Sequence, residues 1–356
     1  MSRGKLSKAK FIAGFVLPAL LLQGCSSTGA IPEEASTEVQ EAVVENIYNP
    51  KLSPAFNEPW PTDVTRQEMI ETALYKSFEF MDQVRAESCP VKANVFIGES
   101  VLDEHIPVIE QISSEMNLVF CDYLTEDITV IAGNYEFVKS TVSAEGLPMD
   151  EFGGICGYEI GLNEGLSRGC AYQGVAWVGP GLGTIRMGEV KTDPIAVAIV
   201  SHEIIHLVQD SADPGQSVEA QGSGRNLFRP VWWVEGGGEF FGHLIPRYLD
   251  LQDYRYVTPH DRAGEALLVS YLSDLQLFEE WRQQAFGLEN YVTGQIALEY
   301  ITANLGLEAI MNLLVLMGEG EEFESAFESA VGLSVQDFYD KFAIMYANLY
   351  EGELAK

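Results

Sequence analysis

The stretch from Pro194 to Asp210, PIAVAIVSHEIIHLVQD, leaves little freedom in what this chain folds into. Asp193 reads as an N-cap, and Pro194 stands at the first helical position, where a missing N–H costs nothing. From there to Val208 every side chain is uncharged except at His202, Glu203 and His206. The spacing predicts a buried helix, which needs other elements packed over it. A chain of 356 residues has room for them, as one large or two modest domains at roughly 150 residues each.

Burying three ionisable groups is unfavourable unless they have partners. In His202-Glu203-Ile204-Ile205-His206 the two imidazoles are four residues apart. That places them about 40° apart around the helix and about 6 Å apart along it, close enough to share one tetrahedral ion. A metal satisfies both rings at once. Glu203 stands beside that face, where its carboxylate can take the proton of a metal-bound water, and zinc would bring that water's pKa to about 7. A catalytic zinc needs a third protein ligand and one open position. The next predicted helix begins near Pro230 and reads VWWVEGGGEFFGHL, offering Glu235 and, one turn on, Glu239. Gly236, Gly237 and Gly238 would each weaken a helix by roughly 1 kcal/mol, so their presence suggests close approach of the two helices. His243, one turn further, reads as a core or surface histidine, and His105 and His260 have no supporting motif.

These residues resemble the gluzincin metallopeptidases, a family that includes thermolysin and aminopeptidase N. There an HExxH helix is followed by a second helix supplying a glutamate ligand, commonly in a W-x-x-E-G pattern, which Trp232 through Gly236 matches. The resemblance implies a zincin-like fold with one Zn2+ per chain. His202, His206 and Glu235 would be its ligands and Glu203 the base, with Glu239 accepting a hydrogen bond from the far nitrogen of a zinc-bound histidine. Tyr291-Val292-Thr293-Gly294, followed by QIALEYITANLG, is similar to the Y-x-x-G segment of the aminopeptidase N relatives. By that likeness Tyr291 donates to the oxyanion. The resemblance spans roughly residues 172–345. Aminopeptidases of the group carry an acidic G-A-M-E-N type strand upstream, whereas Tyr172–Gly179, YQGVAWVG, has no acid. An endopeptidase pairing an extended substrate along that strand is therefore favoured over an aminopeptidase.

The N-terminus reads as an address. Arg3, Lys5, Lys8 and Lys10 precede twelve apolar residues, FIAGFVLPALLL. At ~1.5 Å per residue these make about 18 Å of helix, too short for a roughly 30 Å hydrocarbon core, which indicates a signal peptide. Leu22-Gln23-Gly24-Cys25 resembles a bacterial lipobox, implying cleavage of residues 1–24, lipidation of Cys25 and attachment to a bilayer through an acyl anchor. Ser26 resembles an outer-membrane sorting residue, so the expected location is the bacterial cell envelope, periplasmic or surface-exposed. Cys89, Cys121, Cys156 and Cys170 remain, and an oxidising compartment allows three pairings. Sequence proximity favours Cys89 with Cys121 and Cys156 with Cys170, the latter closing a loop of about 15 residues worth roughly 3 kcal/mol.

Along the remainder, residues 25–63 are rich in Glu, Ser, Thr, Pro and Asn and read as a flexible tether. Residues 64–150 alternate helical and strand patterns, 151–260 form the zinc-binding catalytic region, and 261–356 read as helices. The fold class is α+β: a mixed-sheet α/β half carrying the HExxH helix, then a mainly α-helical half, with a cleft between them. A formal charge of −32 would repel a phosphate backbone, so nucleic acid is excluded as a partner. The expected function is a membrane-anchored zinc metallopeptidase acting on peptides or proteins. Its alternatives are a catalytically silent envelope-binding lipoprotein on the same scaffold and a zinc hydrolase of non-peptide substrates.

Overall fold

A computed structural model of the chain describes residues 51–147, 169–172, 174–179, 194–212, 230–254 and 288–354, all within the unit Tyr48–Lys356. The signal peptide, the lipobox with Cys25, most of the tether, Cys156 and His260 lie outside the described residues.

Helix α1, Arg66–Val84, opens with a reciprocal cap: Glu68 N–H donates to the Thr65 hydroxyl while the Glu68 carboxylate accepts from Thr65 N–H. Strand β1 (Ala93–Ile97) leads through α2 (Ile106–Val119) to β2 (Ile128–Ala132), and α3 (Tyr135–Ala144) follows. Strands β3 (Gly169–Tyr172) and β4 (Val175–Val178) complete, among the described residues, a four-stranded mixed sheet of order β1-β2-β4-β3. β1, β2 and β4 run parallel, and β3 is antiparallel to β4. Period-two alternation divides the inner strands between two cores. Val130, Ala132, Ala176 and Val178 join the main core, while Ile131, Val175 and Trp177 pack with Val138 and Val142 of α3. With helices on both faces, all five residues of β2 are buried. Cys89 is disulfide-bonded to Cys121, as proximity suggests, pinning the approach to β1 onto the end of α2. Cys170 is also in a disulfide.

The following described elements are helical: α4 (Pro194–Ala212), α5 (Val231–Tyr248), α6 (Leu288–Leu305), α7 (Leu307–Gly318), α8 (Phe323–Val331) and α9 (Val335–Leu354). The chain is thus mixed α/β with mostly helical content, every described strand preceding α4. No single helix among the described residues is long and apolar enough to cross a membrane. In α9 the Ser334 cap and the buried Phe338, Phe342, Met345, Tyr346 and Leu349 follow the helical spacing of the sequence. Trp232 of α5 stacks on Phe338, and its indole N–H donates to the Tyr339 hydroxyl at 3.0 Å, anchoring the WWVEG segment in the C-terminal helices. Each such aromatic buries ~150–250 Å², worth at most about 4–6 kcal/mol at ~25 cal/mol/Å².

The tether reading reaches too far. Residues 51–63 include the buried Ser53 and Trp60, and backbone groups here bond distant helices. Trp60 N–H donates to Asn304 Oδ1 at 2.7 Å, while the carbonyls of Pro61 and Thr62 accept from Tyr300 and Asn348. Trp60, wedged edge-on between Tyr300 and Phe338, supplies the apolar anchor that composition averaged over the segment conceals.

Candidate metal centre

Helix α4 is enclosed as its sequence requires: Val197, Val200, Ile204, Ile205, Leu207 and Val208 are all buried. That enclosure fixes the rotation of the helix and leaves His202 and His206 on one face, their ring centroids 4.8 Å apart. Helix α5 crosses it. Oε2 of Glu235 lies 3.6 Å from His202 Nε2 and 3.7 Å from His206 Nε2, and the three donor atoms all fall within 4.8 Å of one another. Two donors about 2.0–2.1 Å from a tetrahedral ion stand about 3.3 Å apart, so the carboxylate is already near the required separation from each imidazole. Two imidazole nitrogens and one carboxylate oxygen so placed could together hold a metal ion. Between the two glutamates the sequence offers, the grouping selects Glu235.

The close approach is built by glycine, but not only between the two helices the sequence suggests. A Cβ on Gly238 would land on the His202 ring, and one on Gly242 would sit 3.0 Å from the Ala198 carbonyl, so these two face α4. Gly236 faces α6 instead, its backbone meeting that of Gly294. That contact brings in Tyr291, whose ring stacks on His202 at 5.8 Å and 17° and whose hydroxyl feels the Glu235 carboxylate. Glu203 is buried under β3, where any side chain at Gly169 would collide with its carboxylate.

Electrostatics follow from this crowding. Burial pushes the Glu203 carboxyl up, with the two histidines opposing. Burial alone would lower His206, yet the Glu235 carboxylate overcomes it and raises the imidazole to about 9. Glu235 moves the other way: burial would raise it, but the two histidines beside it hold it well below the usual carboxylate range. Burial and the neighbouring Glu235 raise Tyr291, so its hydroxyl keeps its proton.

Glu239 stands one turn beyond Glu235 with Oε2 3.4 Å from Nε2 of the buried His243. The partner found on His206 Nδ1 is Gln209, whose Oε1 lies at 2.8 Å. Gln209, three residues after His206, was not singled out from the sequence, although its helical spacing puts it on the ligand face. Nor was β3. The strand expected to pair with a substrate, GVAWVG, is β4, which is flanked by β2 and β3; among the described residues the outer strand on this side is β3. His105 is buried at the start of α2. Comparison of the chain with family models, with curated proteins and with solved structures returns no match.

Proposed function

We propose that this chain is a zinc-dependent metallopeptidase of gluzincin type with a zincin-like fold, held at the bacterial cell envelope, in the outer membrane, by an acyl group on Cys25. The observation that carries the catalytic reading is the convergence of His202, His206 and Glu235 within 4.8 Å, with Glu203 buried alongside. The anchor and location rest on the N-terminal sequence alone. Zinc at this site would supply a water of lowered pKa and polarise the scissile carbonyl. Glu203, raised by burial, is poised to take the proton of the attacking water and return it to the leaving amine. Tyr291 keeps its proton beside the metal ligands, which supports a role as donor to the developing oxyanion. Among the described residues β3 is the outer strand over Glu203, and its backbone groups would suit pairing with an extended peptide in an endopeptidase.

The test is zinc content together with cleavage of a mixed peptide library by the wild type and by Glu203→Gln. One zinc in both proteins, with turnover falling roughly 10²–10⁴-fold in the variant, is expected. A wild type that takes up no zinc at neutral pH overturns the reading. Zinc without peptide cleavage transfers the case to a binding lipoprotein or to a non-peptide substrate.

A further inference from the structure

One amide side chain touches both helices of the metal centre. Gln209 Oε1 lies 2.8 Å from His206 Nδ1, and its Nε2 reaches the Val234 carbonyl, adjacent to Glu235, at 3.5 Å. A carbonyl can only accept, so the Val234 contact fixes which end of the amide is the nitrogen. The oxygen end then faces His206 and requires the proton on Nδ1. In the neutral ring that a metal binds, the Nε2 lone pair is thereby the one left facing the Glu235 side. The space for this arrangement comes from α5: a Cβ on Gly237 would stand 2.7 Å from Gln209 Nε2. Gln209 itself is 2% exposed, so no water competes freely for either end of the amide.

We infer that Gln209 is a positioning residue of the metal centre, setting the His206 tautomer and locking its ring against the backbone that carries Glu235, with Gly237 as the recess that admits it. The inference rests on the metal reading above, not on the identity of any substrate. It assigns separate tasks to the glycine run: Gly236 for α6, Gly237 for the Gln209 amide and Gly238 for the His202 ring.

The test uses the full chain, stripped of metal with a chelator and titrated with zinc against a chromophoric competitor. Gln209→Leu is expected to raise the zinc Kd 10–100-fold, the usual effect of losing a partner of a ligating histidine. Gln209→Glu, which still accepts from Nδ1, is expected to stay within a few-fold of wild type. Gly237→Ala should weaken binding as Gln209→Leu does, and combining the two should add little, because both remove one contact. Cobalt(II) in place of zinc should show an altered visible spectrum in Gln209→Leu and a wild-type spectrum in Gln209→Glu. Equal affinities for wild type and Gln209→Leu overturn the inference and leave the metal site standing. No binding by wild type overturns both. If Gln209→Leu fails to fold, Gly237→Ala decides, and an unchanged Kd there counts against the inference.

Discussion

Two clusters of polar side chains lie along α6, one half-buried and one fully buried, and they handle their lone pairs differently. Near its start, Tyr291 stacks on His202 beside a site where two ring nitrogens and a carboxylate all point inward. Two turns later, the fully buried Glu299 is ion-paired with Arg66, accepts from the Tyr254 hydroxyl at 2.6 Å and takes a third bond from Gln295 at 3.1 Å. Glu299 is surrounded by donors, which closes that network. The first cluster is acceptor-rich, and a proton or a cation between its two ring nitrogens and the Glu235 carboxylate would match it. Burial of charge therefore marks both places, but only convergence of acceptors marks a place for a ligand.

The largest effect expected from breaking this contrast is on stability. Glu299→Ala would take the paired carboxylate away from the Arg66 guanidinium, which is 2% exposed, and should cost about 3–5 kcal/mol in urea unfolding, with or without zinc. Replacing both partners by apolar residues of similar volume should recover most of that loss. A loss below about 1 kcal/mol would mean that the closed network contributes nothing to holding α1 against α6.

The open cluster should respond to metal instead. Zinc at a hundredfold excess over its Kd should stabilise the wild type by about 2.7 kcal/mol, seen as a higher unfolding midpoint. His206→Ala, lacking one of the three donors, should lose most of that increment. A midpoint indifferent to zinc in the wild type would make the two clusters equivalent and remove the grounds for treating either as a site.

Legibility in the sequence follows the same division. His202, Glu203, His206 and Glu235 could be found because helical periodicity converts spacing along the chain into a shared face, and uncharged neighbours reveal that the face is buried. The caps at Thr65 and Ser334 and the apolar stripe of α9 are equally local. Gln209 lay within reach, three residues past a ligand, but glutamine is common enough that nothing flags it until the Val234 carbonyl appears opposite. Gly169 and β3 could not be read, because only the folded sheet brings residue 169 over residue 203. Arg66 and Glu299 are separated by more than two hundred positions, and no periodicity links them. The packed segment 51–63 was hidden for a related reason, since its partners, Tyr300, Asn304 and Asn348, lie at the other end of the chain.

The smallest expected effect, and the most specific to the open cluster, is on protons. In the metal-free protein, Glu235 raises His206 to about 9, so at pH 7 the imidazole holds a proton in the place a cation would take. A metal binds only the neutral ring, so binding at pH 7 must expel that proton. Calorimetry in buffers of different ionisation enthalpy should find about one proton released from His206 per zinc. Apparent affinity should strengthen as pH rises toward 9 and level off for this group above it. The source of the shift can be separated from the metal by following the His206 ring by NMR without zinc. In Glu235→Gln the opposing carboxylate is gone and burial, which lowers the ring, acts with less resistance, so the midpoint should fall. An unchanged midpoint would show that Glu235 does not hold that proton, and the resting site would then be no more acceptor-rich than the closed network around Glu299.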